Sequence, residues 1–231
     1  MSITALDKDK IKQKYRAERD KRIRPEGNAQ YKRLAEFEDL SDDPHMPVIE
    51  RAPVTDHVKF AFIGGGFAGL VVGARLKRAG IDDVRIVEKG GDVGGTWYWN
   101  RYPGCRFDSE SYSYGFSFSE ELLQEWDWKE HFSGQPENER YLNYVADKFD
   151  LKRDIQFNTR VSKAVYDEPK NRWQIKTLDG RRYEAQFFIT AVGLLSAGYI
   201  PDFKGIHSFK GKWTHTGRWP KEGMDLAGKR V

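Results

Sequence analysis

Apolar residues recur first at helical and then at strand spacing along this chain, in blocks separated by glycine, proline and charged turns. From Asp7 to about Ala35, Lys, Arg, Glu and Ala dominate, with Ile11, Tyr15 and Ile23 as a thin apolar stripe. That pattern predicts a helix lying on something else. Pro25, Gly27 and Asn28 interrupt it, and residues 42–53 have the composition of a linker, which puts a domain boundary near residue 55. Val58 to Ile63 is a short β-branched and aromatic run ending in glycines. Phe67 to Ala79 repeats apolar residues at helical spacing before Gly80, and Val84 to Val87 is a second buried strand. Together they predict a βαβ unit with a parallel sheet. Glu120 to Phe132 and Asn138 to Phe149 carry helical patterns. After Ile155 the period shortens to two, giving antiparallel strands at Val161–Tyr166, Trp173–Thr177 and Tyr183–Thr190. Turns at Glu168-Pro169 and Asp179-Gly180 separate them.

Composition narrows the class. The chain has 231 residues, of which 39% are hydrophobic, enough for a globular core. The formal charge of +4 is small against 39 basic and 35 acidic residues, and most of the excess lies between Lys8 and Arg24. Glu18 and Asp20 dilute that run and no aromatic residues interleave with it, so a solvated helix face is expected and no nucleic-acid partner. Cys105 is the only cysteine, which rules out an internal disulfide and fits a reducing, cytoplasmic setting. No apolar run approaches the roughly 18 residues that would span a bilayer, so no membrane partner is expected.

Candidate chemistry begins at Gly64-Gly65-Gly66-Phe67-Ala68-Gly69, a GxGxxG motif placed directly after a strand and opening a helix. Gly64 permits the tight turn, Gly66 lets backbone amides approach a pyrophosphate, and Gly69 allows the helix to pack closely on the strand. The helix N-terminus adds partial positive charge for the phosphates. Glu88 ends the second strand nineteen residues past Gly69, where a carboxylate accepts hydrogen bonds from ribose hydroxyls. An unphosphorylated ribose is expected there, so FAD and NAD both qualify and NADP does not.

Two further runs carry a family resemblance. Gly94-Gly95-Thr96-Trp97-Tyr98-Trp99-Asn100-Arg101-Tyr102-Pro103-Gly104 is a segment that a simple dehydrogenase does not need. Phe209, Gly211, His215, Trp219 and Pro220 follow the spacing F-x-G-x-x-x-H-x-x-x-W-P without a miss. On these motifs the chain resembles Baeyer–Villiger monooxygenases, and specifically their N-terminal, FAD-binding half. The run from Tyr15 to Arg22, with Gly27 to Tyr31, also resembles the N-terminal extension of members acting on large cyclic ketones and steroids.

The resemblance implies an α/β fold: a Rossmann-like FAD-binding domain with a parallel sheet and an inserted antiparallel β-meander, preceded by a helical N-terminal extension. It implies a helical extension and linker over 1–54, an FAD-binding domain over 55–206, and over 207–231 the fingerprint linker with the start of an NADPH-binding domain. By the same resemblance Thr96, Trp97, Tyr98 and Trp99 contact FAD, joined by Asp108 and Tyr114, and Val161 meets the adenine through its backbone. Ala68 lies in the phosphate turn. Arg106, Phe107 and Asp108 match a stretch that touches the nicotinamide cofactor, although Phe107 replaces a usually small or polar residue. Asp108 is the candidate catalytic residue, since its equivalent positions an essential arginine near the flavin. His215 and Trp219 close the fingerprint, where for His215 a hinge role is implied ahead of acid–base work.

The family reaction uses NADPH, FAD and O₂ to convert a ketone substrate to an ester or lactone through a flavin C4a-peroxide. Family members continue into a second nucleotide-binding domain, whereas this sequence ends eleven residues after Pro220, with no second GxGxxG. The arginine that would pair with Asp108 matches no residue here. The expectation is therefore a fragment that needs a C-terminal half for activity. Two other readings stay open: another flavin-dependent oxidoreductase, such as an N-hydroxylase or reductase, and a stand-alone FAD-binding module. No metal site is expected.

Overall fold

The computed structural model describes residues 7–33, 43–47 and 55–231. In chain order the elements are α1 (Lys8–Asp20), β1 (Tyr31–Arg33), β2 (Thr55–Ile63), α2 (Phe67–Arg78), β3 (Val84–Val87), α3 (Thr96–Trp99), α4 (Ser111–Tyr114) and α5 (Glu120–Glu125). They continue with α6 (Gln135–Lys148), β4 (Ile155–Gln156), β5 (Val161–Asp167), β6 (Arg172–Thr177), β7 (Arg182–Thr190) and β8 (Tyr199–Pro201).

The chain groups into two compact units, one of residues 1–38 with 199–212 and one of residues 39–198 with 213–231. In the first, α1 is capped by Asp7, whose carboxylate accepts from the Asp9 and Lys10 amides. α1 ends at Asp20, well short of the helix expected to Ala35, and buries no residue. With no packed face, nothing carries it across Pro25. Ile23 therefore lies beyond the helix and is exposed. β1 and β8 pair antiparallel in the same unit.

The second unit is built on a six-stranded sheet in the order β4-β3-β2-β7-β6-β5. β4, β3, β2 and β7 run parallel, while β5, β6 and β7 form the antiparallel meander. β7 joins the two parts, since it pairs with β6 on one edge and with β2 on the other. The α/β class and the meander are thus as expected. Alternation along β2 and β3 sends Phe62 and Ile86 to a core beneath α2 and α6, with Leu70, Ala74, Leu142 and Val145. Ala61 and Val87 face the other way, towards Ile175, Tyr183 and Ala185 of the meander.

Two helical expectations shift. α5 stops at Glu125 instead of Phe132, because Trp126 turns extended and packs with Trp128 against Tyr141. α6 begins at Gln135, three residues early, with a proline at its start that suits a first helical turn.

Candidate nucleotide-binding site

The glycine turn is built by close backbone approach. Gly64 has φ +107°, and a Cβ there would lie 2.4 Å from the Ala191 carbonyl oxygen, at the end of β7. A Cβ on Gly69 would sit 2.0 Å from the Gly64 carbonyl oxygen, so α2 rests directly on the turn. Gly66 caps α2 without any side-chain hydrogen bond, and Ala68 is exposed in the first turn. Uncapped amides at the start of a twelve-residue helix make an anion-binding end. The second glycine pair backs onto the first: Gly95 has φ +54°, and a Cβ on it would lie 2.9 Å from the Gly66 Cα.

Glu88 sits beside this turn at the end of β3 and is only 4% exposed. Its Oε2 accepts from the Gly65 amide at 2.6 Å and its Oε1 from the Gly90 amide at 2.7 Å. Burial raises the Glu88 pKa, and those two amides oppose the shift. A carboxylate has about four acceptor positions, so two remain for hydroxyl donors. Thr159 donates its amide to the Glu88 carbonyl, which ties the approach to β5 and Val161 to the same corner.

The aromatic run 96–99 forms α3. Trp97 is buried and donates its Nε1 proton to the Tyr114 hydroxyl at 2.8 Å. Phe107 stacks on Tyr114 with ring centroids 4.1 Å apart, and Trp97 meets both edge-on. Tyr98, 1% exposed, donates its hydroxyl to Asp43 at 2.6 Å. Trp97 and Tyr98 therefore spend their side-chain polar atoms on the protein itself, while Thr96 and Trp99 remain half-buried. The Lys89 ammonium lies 4.5 Å from the Trp99 ring centroid, a cation–π contact.

Arg106 is exposed and pairs with Glu130 and the Phe132 carbonyl. Asp108 is exposed in the loop after Phe107 and forms no ion pair among the described residues. Cys105 is buried, and burial pushes its thiol pKa up against a hydrogen bond with Tyr102.

The fingerprint divides between the two units. Phe209 and Gly211 belong to the first, where the Phe209 ring lies against Gly211. His215, Trp219 and Pro220 belong to the second, all half-buried. His215 Nδ1 accepts from the Gly217 amide at 3.0 Å and caps the short turn 216–218. A cleft of about 490 Å³ lined by Leu122, Trp126, Trp128 and Tyr141 lies elsewhere in the unit, and none of the site residues named above lines it.

One residue escaped the sequence reading. Asp43, in the stretch taken as linker, binds Tyr98 and the Gly91 amide. The Asp-Pro-His order was its signal, since an aspartate before proline initiates a side-chain-capped turn.

Residues 61–227 match the family model described as pyridine nucleotide-disulphide oxidoreductase. The chain belongs to that family. Within this oxidoreductase family, it is 53% identical over 171 residues to the acetone monooxygenase (methyl acetate-forming) of Gordonia sp. (strain TY-5), covering 74% of this chain and 32% of that protein. It is 40% identical over 232 residues to a Baeyer–Villiger monooxygenase of Streptomyces coelicolor, covering 96% of this chain and 38% of that one. Among solved structures, an oxidised steroid monooxygenase bound to NADP superposes with a TM-score of 0.68 at 47% identity, over 74% of this chain and 33% of that one. The resemblance to Baeyer–Villiger monooxygenases read from the motifs is borne out. The chain spans about a third of the length of the relatives it matches.

Proposed function

We propose that this chain is the FAD-binding portion of an NADPH- and O₂-dependent Baeyer–Villiger monooxygenase that converts ketones to esters or lactones. The observation that carries the reading is the corner where Glu88, buried and held by two amides, meets the uncapped start of α2 across a turn that only glycines can make. This corner fits an adenosine diphosphate. The α2 amides would take the pyrophosphate, Glu88 the ribose hydroxyls, and the main chain at Val161 the adenine. Residues 96–99 and Tyr114 would border the flavin, with Trp97 and Tyr98 contributing backbone and ring faces. Bound flavin would supply electron transfer from NADPH and activation of O₂.

Arg106, Phe107 and Asp108 would face the nicotinamide cofactor, and the exposed Asp108 carboxylate would pair with an arginine from a C-terminal half. We place the FAD-binding domain at 55–206 and, over 207–231, the fingerprint linker with the start of an NADPH-binding domain, the fingerprint acting as a hinge. The hinge assignment is supported by the division of the fingerprint between two compact units. Ketone chemistry is supported by the name of the acetone monooxygenase relative, which forms methyl acetate. Among the described residues no helix is long and apolar enough to cross a membrane, and we infer a cytoplasmic enzyme.

The test is oxygenation itself. Joined to the C-terminal two-thirds of a relative, the chain is expected to oxidise NADPH in a ketone-stimulated manner and to yield the ester, whereas residues 1–231 alone do not turn over. Ester formation by the isolated chain would contradict the half-enzyme reading, and ketone-independent NADPH oxidation by the joined protein would favour a reductase.

A further inference from the structure

The segment 43–47 is pinned to the nucleotide corner by one carboxylate. Asp43 Oδ1 accepts from the His45 amide at 2.8 Å and the Met46 amide at 3.4 Å, which closes the segment on itself. Asp43 Oδ2 accepts from the Gly91 amide at 2.7 Å and from the Tyr98 hydroxyl at 2.6 Å. The fit is tight, since a Cβ on Gly91 would lie 2.5 Å from the Met46 Cβ. The His45 ring packs edge-on against Tyr98 at 5.5 Å, and its carbonyl accepts from Lys221 Nζ at 3.2 Å. Lys221 follows the fingerprint proline directly, so the same segment touches the end of the fingerprint.

Gly91 is one residue from Gly90, whose amide holds Glu88 Oε1 and whose carbonyl accepts from the Asn158 amide. A Cβ on Gly90 would lie 3.0 Å from the Tyr98 ring and 3.2 Å from both Glu88 Oε1 and the Trp99 ring. The turn 90–91 is thus wedged between the Glu88 carboxylate on one side and Asp43 with Tyr98 on the other. Removing the Asp43 carboxylate would leave the buried Tyr98 hydroxyl and the Gly91 amide without their strong acceptor, and the Gly90 amide free to drift from Glu88.

We propose that Asp43 is a positioning residue for the nucleotide site, acting through the Gly90–Gly91 turn and Tyr98 to hold Glu88 where it receives the ribose. This rests on the FAD reading above. In this role Asp43 acts at one remove, through the Gly91 amide and the Tyr98 hydroxyl that its carboxylate holds, on the turn that carries Glu88. A segment that only stabilised the fold would act on affinity independently of Glu88, and that difference is measurable.

The experiment titrates FAD and ADP into the 231-residue chain, following flavin fluorescence for FAD and heat for ADP. The proteins are wild type, Asp43→Asn, Tyr98→Phe, Glu88→Ala and the double variant Asp43→Asn/Glu88→Ala. Asp43→Asn and Tyr98→Phe are each expected to weaken both ligands about tenfold, the size of a lost charge-assisted hydrogen bond. In the Glu88→Ala background, Asp43→Asn is expected to add less than twofold. If wild type binds neither ligand, the site reading falls and this inference with it. If wild type binds and Glu88→Ala weakens it while Asp43→Asn does not, the inference alone is overturned. An equal loss from Asp43→Asn in both backgrounds overturns it too, as the mark of a general structural role. Should Asp43→Asn fail to fold, Tyr98→Phe, which removes one hydroxyl, is compared in the same two backgrounds with the same expectations.

Discussion

Glu88 holds its carboxylate in a place that costs stability. Desolvation raises its pKa, and the Gly65 and Gly90 amides recover only part of the cost. The sign follows from linkage: below about 4.5, the ordinary value, the group is neutral in both states and the folded state loses nothing. As pH rises past that value the unfolded chain ionises freely while the folded one resists, so stability contributed by this group is lost through the raised folded pKa. Asp43 has the opposite sign. Although burial acts to raise its pKa, hydrogen bonds from Tyr98, His45, Gly91 and Met46 bring it below 3.8, and its contribution is lost only as pH falls through that lowered value. Between pH 4.5 and neutrality the melting temperature of Glu88→Gln is therefore expected to rise relative to wild type, both free of nucleotide. Parallel melting profiles across that window would show that Glu88 carries no burial cost. The place of Glu88 beside the glycine turn was legible in the sequence, because it ends the strand nineteen residues past Gly69. Asp43 was legible only as the cap of its local Asp-Pro-His turn, because its partners Gly91 and Tyr98 are about fifty residues away and spacing does not reveal them.

The elements that position the site are those with strong periodicity. β2, α2 and β3 follow from their apolar spacing and from the glycines between them, and the meander follows from its alternation. α5 misled the pattern because Leu122 and Trp126 are apolar at helical spacing, yet Trp126 is extended and meets Tyr141 edge-on, with Trp128 tilted against the same ring. β4, two residues long, is too short for any period to show. The aromatic run 96–99 is expected from the resemblance to border the flavin. The structure adds that Trp97 and Tyr98 are anchored to Tyr114 and Asp43, contacts made across chain that sequence spacing does not encode. The α2-to-turn contact is the element on which the site depends most. Gly69→Ala drives a methyl into the Gly64 carbonyl, and α2 must lift away. A loss of about 1–3 kcal/mol in urea denaturation is expected, together with weakened FAD binding. Unchanged stability and affinity would mean that α2 is not seated as described.

At the scale of the whole molecule, apolar side chains stand exposed beyond the end of β7. Leu194 is 98% exposed at the end of β7, beside Val192 and Leu195, a short apolar edge that water covers in this chain. Phe209, the first residue of the fingerprint, is likewise 60% exposed. The fingerprint was legible as a family label from its spacing alone. Its division between two compact units could be seen only in the fold, because β1 and β8 pair across more than 160 residues of chain. On this account the fingerprint couples parts of a larger enzyme, and the present chain supplies the flavin seat. The most direct test of that claim is the binding of FAD to the 231-residue chain, followed by quenching of flavin fluorescence. A saturable single site is expected in wild type, weakened about tenfold or more in Glu88→Ala by loss of the ribose carboxylate. Absence of FAD binding by wild type, or equal affinity in the two proteins, would contradict the account.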